Sequence, residues 1–221
     1  MADKALEGRT VLVTGSSKGI GAATAKALAA QGAHVILTGR DVRALEAVED
    51  AIHEAGGAST IAPVDLTETD GIARLAGAIA GRWDTLDGLV IAAAYLPTLT
   101  PVTQIDAKQF GQAITTNILA TQALLAAFDP LLKRADAARV IGLTSSVGET
   151  PRAYWSAYAS TKAAFDNLLE SYAQEVEKVS KVRVAILDPG ATRTSMRAKA
   201  YPGEDPKTVK EPDVVADRIV E

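Results

Sequence analysis

The chain has 221 residues, of which 48% are apolar, and a formal charge of −4 at neutral pH. This composition excludes a disordered chain and gives no reason to propose a nucleic-acid or membrane partner. Cysteine is absent, which also excludes disulfides, thiol catalysis and cysteine metal sites. His34 and His53 are too few and too isolated for a metal centre, and residues 1–10 contain no apolar signal core. We therefore expect a cytoplasmic protein without a metal.

The first predicted elements are a buried strand, a glycine-rich turn and a helix, all within residues 9–29. The apolar run 11–13 is typical of an interior parallel strand. Gly15, Gly19 and Gly21 follow it in a Gly-x-x-x-Gly-x-Gly spacing that lacks the ending of a Walker loop. Glycine lets the backbone approach a phosphate, and the N–H groups of a helix start attract one. The turn therefore predicts a dinucleotide site, although a tight turn without a ligand fits the same spacing.

Strands and helices continue to alternate along the chain. Strands are predicted at 34–38, 59–64, 88–93, 138–144 and 182–187, and helices at 22–31, 41–55, 68–83, 106–133 and 155–179. This alternation indicates an α/β fold, in which a doubly wound parallel sheet carries helices on both faces. No linker or repeat interrupts it, so we predict a single domain over residues 1–221.

Arg40 and Lys18 bear on the choice of dinucleotide. In NAD-preferring folds an acidic residue roughly 20 positions beyond the glycine turn holds the ribose 2′-hydroxyl, whereas an arginine accommodates a 2′-phosphate. Here no carboxylate ends the second strand, Arg40 stands just past it, and Lys18 lies inside the glycine turn. We predict NADP(H) rather than NAD(H), although solvated surface charges also fit. Asp65 follows the third strand, where it binds an adenine amino group, caps the helix predicted near Glu68, or does both.

A second group of chemically active residues lies between Ser145 and Lys162. Tyr158 and Lys162 are four residues apart on a predicted helix and so share one face. A lysine ammonium beside a phenol stabilises the phenolate and lowers the tyrosine pKa, which suits proton transfer near neutral pH. Ser145 ends a strand at the sheet edge where ligands of doubly wound folds bind. By itself the Tyr/Lys pair also fits a surface contact, and the serine also fits a plain turn.

Two motifs resemble those of the short-chain dehydrogenase/reductase family. Residues 14–21, Thr-Gly-Ser-Ser-Lys-Gly-Ile-Gly, are similar to its glycine motif, and residues 158–162, Tyr-Ala-Ser-Thr-Lys, to its Tyr-x-x-x-Lys motif. Ser145 lies thirteen residues before Tyr158 and three before Gly148, as the catalytic serine of the family does. Residues 189–194, 196–198 and 204–206 resemble a bacterial subgroup of uncharacterised oxidoreductases.

The resemblance implies a role for each site residue. Tyr158 would exchange a proton with the reacting oxygen, and Ser145 would hydrogen-bond that oxygen. Lys162 would hold the nicotinamide ribose and lower the pKa of Tyr158. Asn117 would maintain a water path for proton resupply, and Thr194 would hold the nicotinamide carboxamide. The implied cofactor-binding residues are Gly15, Ser17, Lys18, Gly19, Ile20, Gly21, Arg40, Asp65, Leu66, Ala92, Ala93, Tyr158, Lys162, Pro189, Gly190, Thr192 and Thr194.

Two stretches depart from the family pattern. The fourth strand ends in Ile-Ala-Ala-Ala at residues 91–94, where the family commonly has Asn-Asn-Ala-Gly. This puts the hydrogen bonds of that strand in doubt, and Ala94 adds a methyl group near the expected cofactor. Residues 213–221 read as the start of a helix, whereas family members usually continue through that helix to a final strand. Either the native protein extends further, or the sheet lacks an edge strand.

The function implied is hydride transfer between NADP(H) and a carbonyl or secondary alcohol of a small molecule. A dinucleotide-binding sensor or scaffold without turnover is the alternative, and a methyltransferase is disfavoured because no acidic residue ends strand two. Loops 147–155 and 195–211 should line the substrate pocket. They offer Tyr154, Trp155, Met196 and Tyr201 as apolar surface and Arg152, Arg193 and Arg197 as charge. In the family, the helices corresponding to 106–133 and 155–179 pair between subunits, which implies a homodimer or homotetramer.

Overall fold

Six strands form one sheet in the computed structural model, which describes residues 4–68 and 70–221. The strands are β1 (Thr10–Thr14), β2 (His34–Thr38), β3 (Ala58–Ile61), β4 (Gly88–Ile91), β5 (Arg139–Leu143) and β6 (Arg183–Leu187). Their order is β3-β2-β1-β4-β5-β6, and all neighbours are parallel. This arrangement confirms the predicted doubly wound sheet and matches the strand order of a dinucleotide-binding fold.

The central strand β1 is buried along its whole length because helices cover both faces of the sheet. Its successive side chains point to opposite faces. Leu12 belongs to the apolar core on one face, together with Phe128 and Phe165. Val13 belongs to the core on the other face, together with Leu37 and residues of the C-terminal helix. An apolar run without alternation, as at 11–13, is therefore what this position requires.

Eight α-helices are assigned in the described residues. They are α1 (Gly19–Ala30), α2 (Val42–Glu54), α3 (Gly71–Ala80), α4 (Ala107–Ile114), α5 (Ala120–Arg134), α6 (Ser156–Glu177), α7 (Ser195–Ala200) and α8 (Pro212–Val220). Aspartates cap two of them: Asp41 accepts a hydrogen bond from the N–H of Ala44 at 3.2 Å, and Asp106 from that of Gln109 at 2.7 Å. Such caps satisfy N–H groups that a helix start leaves without partners.

The predicted helix 106–133 is one continuous helical run, 107–134, but its hydrogen bonding changes in the middle. A π-helical turn, Thr115–Leu119, separates α4 from α5 and contains Asn117. Turns of this kind inside α-helices occur frequently at functional sites, because the extra residue turns one side chain or carbonyl out of the regular pattern. Apolar periodicity continues through the turn, and the sequence pattern therefore did not reveal it.

The chain leaves β1 toward β2 on one side and reaches β4 on the other side, so the strand order reverses between β1 and β4. In doubly wound sheets this reversal opens a crevice outside the carboxyl ends of the strands. Thr14, at the end of β1, and Ile91, at the end of β4, are paired there. The glycine turn and the altered residues 92–94 follow these strand ends directly, and Gly15 lies against Ala93 there.

Candidate active site

The glycine turn forms an open cradle of backbone, and side chains at two of its glycines would fill it. Gly15 has a φ of 66°, and a Cβ at this position would lie 2.8 Å from the Cα of Ala93. A Cβ at Gly21 would run into the carbonyl oxygen of Gly15. Because both positions exclude a side chain, the turn stays close to the end of β4 and keeps its backbone open. This geometry fits the pyrophosphate of a dinucleotide.

Thr14 supplies hydrogen bonds at the end of β4, where the departure from the family pattern puts them in doubt. Its Oγ1 accepts hydrogen bonds from the N–H groups of Ala92 at 3.1 Å and Ala93 at 3.2 Å. It also donates to the carbonyl of Val90 at 3.3 Å. Buried peptide groups need such partners, and a threonine hydroxyl can both donate and accept. The end of β4 is therefore held from β1 without either asparagine.

Asn117 holds the next part of the same loop. Its Oδ1 accepts from the N–H of Tyr95 at 2.8 Å, and its Nδ2 donates to the carbonyl of Tyr95 at 3.0 Å. The same Nδ2 donates to Oγ1 of Thr161 on α6 at 2.9 Å. Asn117 is only 1% exposed, so these bonds are shielded from water. The side chain thus joins the π-turn, the loop after β4 and the helix that carries Tyr158.

Lys162 is buried at the end of β5. Its Nζ donates a hydrogen bond to the carbonyl of Leu143 at 2.6 Å and lies 4.2 Å from the ring centroid of Phe165. Burial lowers the pKa of Lys162 to about 8, and the carboxylate of Asp166 opposes that shift. An ammonium held near its titration point responds strongly to any charge placed beside it.

Tyr158 behaves differently from the expectation that Lys162 lowers its pKa. Burial raises the pKa of Tyr158 well above the ordinary value, and the carboxylates of Asp188 and Asp166 raise it further. The Lys162 Nζ lies 5.9 Å from the centroid of the phenol ring and is bonded to Leu143 instead. The expectation was wrong for this arrangement because it weighed only the nearby cation and not desolvation. The phenol is therefore protonated at neutral pH.

Arg40, Lys18 and Asp65 lie together at the mouth of the cleft. The Arg40 side chain is 63% exposed, and its Nη1 lies 3.8 Å from Oδ2 of Asp65. Asp65 Oδ1 accepts hydrogen bonds from the N–H and the hydroxyl of Thr67 at 2.9 and 2.7 Å. The prediction that Asp65 caps a helix near Glu68 was wrong, because the helix begins only at Gly71 and Asp65 closes a turn before it.

Two adjoining cavities occupy the crevice. We call the first, of about 250 Å³, the cofactor cleft, after the cofactor residues predicted there; Lys162 and Tyr158 also line it. We call the second, of about 370 Å³, the substrate cavity, because the predicted substrate loops border it; Ser145 and Tyr158 line it. Tyr158 lines both and thus stands at their junction. The predicted cofactor residues that line the cleft are Gly15, Ser17, Lys18, Gly19, Ile20, Gly21, Arg40, Asp65, Leu66, Ala92, Ala93, Tyr158, Lys162, Pro189 and Thr194.

Two predicted cofactor residues line the substrate cavity and not the cleft. They are Gly190, with a φ of 62°, and Thr192. The hydroxyl of Thr192 donates to the carbonyls of Pro189 and Gly190 at 3.2 Å, so it shapes the turn after β6. Asn117 lines neither cavity. Its polar atoms are engaged by Tyr95 and Thr161, as described above.

The predicted substrate loops do meet at the second cavity. Trp155, Met196 and Tyr201 line it, together with the two arginines Arg152 and Arg197. Two other predicted residues do not line it. Tyr154 is 59% exposed, and Arg193 pairs with Glu211.

Sequence reasoning missed Thr14, Tyr95 and Asp188. Asp188 accepts hydrogen bonds from the N–H groups of Gly190 at 2.8 Å and Ser146 at 3.0 Å, which ties the turns after β5 and β6 together. Its place before a Pro-Gly pair was a usable signal, since aspartate often bonds the backbone two residues ahead in a turn. Thr14 directly precedes the first motif glycine, but nothing in the sequence shows which backbone groups it contacts.

In residues 4–68 and 70–221, histidine, aspartate and glutamate side chains form no group of three or more that would hold a metal ion. No helix there has both the length and the apolar character needed to cross a bilayer.

Comparison with known proteins identifies the family. The model of the short chain dehydrogenase family matches residues 9–205, which is most of the chain. This protein belongs to the short-chain dehydrogenase/reductase family and is an oxidoreductase of that class. The uncharacterised oxidoreductase YciK of Escherichia coli K12 is 36% identical over 210 residues, covering 94% of this chain and 82% of YciK.

Solved structures share the fold closely. A short chain dehydrogenase from Pseudomonas syringae is 39% identical, with a TM-score of 0.95 over 99% of this chain and 90% of the other. A short chain dehydrogenase from Escherichia coli CFT073, complexed with NADPH, is 35% identical, with a TM-score of 0.94 over 100% of this chain and 92% of the other. The resemblance drawn from the two motifs is thereby confirmed.

Proposed function

We propose that this enzyme transfers a hydride between NADP(H) and a carbonyl or secondary alcohol of a small molecule. The observation that carries the proposal is the position of Tyr158, whose side chain lines both the cofactor cleft and the substrate cavity. A proton donor at that junction lies beside both reactants. The methyltransferase hypothesis is dropped, because family membership gives the Tyr158 and Lys162 pair an established kind of role.

The residues of the cleft fit the proposed cofactor. The glycine cradle would seat the pyrophosphate, and the guanidinium of Arg40 with the ammonium of Lys18 would bind a 2′-phosphate at the mouth. The NADPH complex of the Escherichia coli CFT073 relative supports the same choice. When bound, the nicotinamide supplies or accepts the hydride.

The chain itself supplies the proton and the polarisation. The hydroxyl of Tyr158 is protonated at neutral pH and lines the substrate cavity, so it donates a proton to the carbonyl oxygen in the reductive direction. The hydroxyl of Ser145, in the same cavity, hydrogen-bonds that oxygen and stabilises its developing charge. Lys162, which lines the cofactor cleft, would hold the nicotinamide ribose, as the family resemblance implies. Asn117 positions this machinery through Thr161 and Tyr95.

Binding without turnover is the competing proposal. It was motivated by the altered end of β4, where Thr14 supplies hydrogen bonds to residues 92 and 93. A screen of carbonyl compounds with NADPH distinguishes the two proposals, because a sensor would bind NADPH and reduce none of them.

The cofactor preference is tested by paired titrations with NADPH and NADH, following nicotinamide fluorescence. We expect NADPH to bind at least about tenfold more tightly, and Arg40→Ala to remove most of that preference, since a charge-assisted bond to phosphate is lost. Arg74→Ala is the matched control. Arg74 is also an exposed arginine beside a carboxylate, 2.9 Å from Glu68, but it does not line the cleft. Equal affinity for both nucleotides in the wild type would refute the roles of Arg40 and Lys18.

We also propose a homodimer or homotetramer, as the family resemblance of the long helices implies. Leu119, at the end of the π-turn before α5, is 56% exposed and supports a contact on that side. Light scattering coupled to size-exclusion chromatography measures the mass directly. A monomer at micromolar concentration would contradict this proposal.

A further inference from the structure

The substrate cavity has an aromatic wall that leads away from the catalytic hydroxyls. The ring of Trp155 meets that of Tyr158 edge-on, with centroids 6.1 Å apart, and lies 5.8 Å from that of Tyr201. The same cavity is also lined by Leu96, Val147 and Met196, which pack together in an apolar cluster with Tyr158. Such a wall favours a flat apolar body, because aromatic rings bury large areas and stack at these separations. The cavity of about 370 Å³ lies near the small end of the range for small-molecule sites.

Three arginines occur on the two loops around this wall, and two of them are neutralised. Arg197 donates two hydrogen bonds to the carboxylate of Glu204, at 2.7 and 2.6 Å. Arg193 pairs with Glu211. A guanidinium that is already paired with a carboxylate in this way has little net attraction left for a second anion.

Arg152 is different. Its Nη1 donates to the neutral hydroxyl of Tyr201 at 3.1 Å, and no carboxylate in the described ranges forms an ion pair with it. The carboxylate that lines the same cavity, Asp188, is held by the backbone N–H groups of Ser146 and Gly190. The Tyr201 hydroxyl therefore orients the guanidinium of Arg152 without cancelling its charge.

The turn that carries Arg152 is fixed and strained. Tyr154 has a φ of 72°, the one positive value outside glycine in the part of the chain that the structure describes. The N–H of Thr100 donates to the carbonyl of Tyr154 at 3.1 Å, and the N–H of Trp155 donates to that of Arg152, also at 3.1 Å. Strain of this kind persists where the surrounding structure holds it, and it is concentrated at ligand sites. The turn bonds Trp155 to Arg152 through the backbone, and both residues line the same cavity.

We propose that Arg152 anchors an anionic group of the substrate, so that the natural substrate is a carbonyl or alcohol compound with a flat apolar body ending in a carboxylate or phosphate. The reacting oxygen lies at Tyr158 and Ser145, the body lies along Trp155, and the anion reaches Arg152 at the rim. This inference rests on the proposed function, since the reacting end is defined by Tyr158.

The test compares three aldehydes that differ only in the group opposite the carbonyl: 4-carboxybenzaldehyde, its methyl ester and 4-formylphenyl phosphate. The readout is kcat/KM from NADPH oxidation. We expect the wild type to prefer an anionic compound over the ester by about tenfold, the value of one charge-assisted hydrogen bond. The better of the two anions distinguishes carboxylate from phosphate recognition. The preference should fall as sodium chloride rises, because Arg152 is exposed and salt screens its charge.

Arg152→Gln should reduce the anion-to-ester ratio about tenfold, and Tyr201→Phe should reduce it less, since only the orientation of Arg152 is lost. Arg134→Gln is the control, because Arg134 ends α5 at the opposite edge of the sheet from the cavity. The N–H of Leu86, just before β4, donates there to the carbonyl of Leu131. An anion-to-ester ratio near one in the wild type, or an unchanged ratio in Arg152→Gln, would refute the proposal that Arg152 anchors an anion. If the ester is still reduced in that case, the proposed function stands.

A binding measurement covers the case in which no compound is reduced. Trp83→Phe leaves Trp155 as the single tryptophan, so its fluorescence reports on the cavity alone. In the presence of NADP, 4-(hydroxymethyl)benzoate should quench this fluorescence with a dissociation constant about tenfold lower than that of its methyl ester. Arg152→Gln should abolish the difference. Preferential binding without any reduction would refute the proposed function and keep the anchor. Equal binding of acid and ester would refute the anchor.

Discussion

The nucleotide side and the substrate side of the crevice are lined by different kinds of groups. The inner part of the nucleotide side, where the pyrophosphate would lie, consists of backbone, glycine and small side chains: the cradle at Gly15 to Gly21, the end of β4, and buried Thr14 between them. The substrate side consists of long aromatic and charged side chains on loops and on the short helix α7, joined by ion pairs such as that of Arg197 with Glu204. A cradle of backbone has few alternative conformations, whereas long side chains can be replaced or rearranged at little cost to the fold. One side is thus fixed by the fold, and the other is free to set substrate choice.

Tyr158→Phe is expected to have the largest effect, because it removes the proton donor at the junction of the two sides. Turnover should fall by about a thousandfold, in the range of general acid–base catalysis, while NADPH affinity changes less than about twofold. Steady-state kinetics and nucleotide titration measure these separately.

Tyr172→Phe is the matched control for that substitution, since Tyr172 is on the same helix and its hydroxyl donates to Asp129 at 2.9 Å. It should cost about 1 kcal/mol of stability and leave turnover intact. Comparable turnover by Tyr158→Phe would show that the proton comes from elsewhere.

Gly15→Ala should break the nucleotide side. The new methyl group would lie 2.8 Å from the Cα of Ala93, and alanine disfavours the φ of 66°. We expect loss of at least about 2 kcal/mol of unfolding free energy and at least about a hundredfold weaker NADPH binding. Chemical denaturation and titration test both.

Gly77→Ala, in α3, provides the control because nothing lies within 4 Å of its added methyl group. It should raise stability by up to about 1 kcal/mol and leave NADPH binding unchanged. If both variants behaved alike, close packing of the cradle would not explain the effect of Gly15→Ala.

Lys162→Met should raise the free energy of unfolding and abolish turnover. The lysine pKa falls from 10.5 in the unfolded chain to about 8 in the folded protein, so the unfolded chain binds more protons between these values. Burial of the ammonium therefore costs free energy that is fully present below about pH 8 and disappears as the pH rises toward 10.5. We expect the variant to gain about 2 kcal/mol at pH 7, after allowance for the lost bond to Leu143, and to lose turnover.

Urea denaturation of both proteins at pH 7 and pH 10 checks the sign of this effect. The gain should shrink at the higher pH. A gain that stays constant with pH would mean that packing of the methionine, and not relief of a buried charge, is responsible.

Glu204→Gln should give the smallest effect and act on the substrate side alone. It removes the carboxylate that holds Arg197, whose guanidinium also lies 3.7 Å from the ring centroid of Tyr201. KM for the carbonyl compound should rise about two- to fivefold, as expected for a partly exposed ion pair, with NADPH affinity unchanged. Glu177→Gln, at the exposed end of α6, is the control. A parallel loss of NADPH affinity would mean that the two sides are not independent.

The same contrast explains what the sequence made predictable. The cradle and the Tyr158, Lys162 pair depend on residue type at fixed spacing, and a single strand-turn-helix unit brings the cradle together. The parallel sheet with helices on both faces follows from the alternation of elements, and the structure confirmed it. By contrast, the contacts of Thr14 and Asn117 join segments more than twenty residues apart, and no local pattern encodes such pairs.

Electrostatics was the less predictable part of the site. The sequence placed Lys162 near Tyr158, but the pKa of the tyrosine depends on how deeply both groups are buried and on Asp188, which belongs to another strand end. Likewise, the sequence offered three equivalent arginines, and only folding pairs Arg193 and Arg197 with acidic residues and leaves Arg152 on a neutral phenol. Charge balance is a property of neighbours in space.

The π-turn that carries Asn117 has an evolutionary consequence. It amounts to one extra residue within a helical run that α4 and α5 continue on either side. Deleting a single codon there would restore regular helical hydrogen bonding and remove the clamp on Tyr95. We expect such a lineage to keep the sheet and the glycine cradle, and with them the capacity to bind a nucleotide. One in-frame deletion would then separate an enzyme from a binding protein of the same fold.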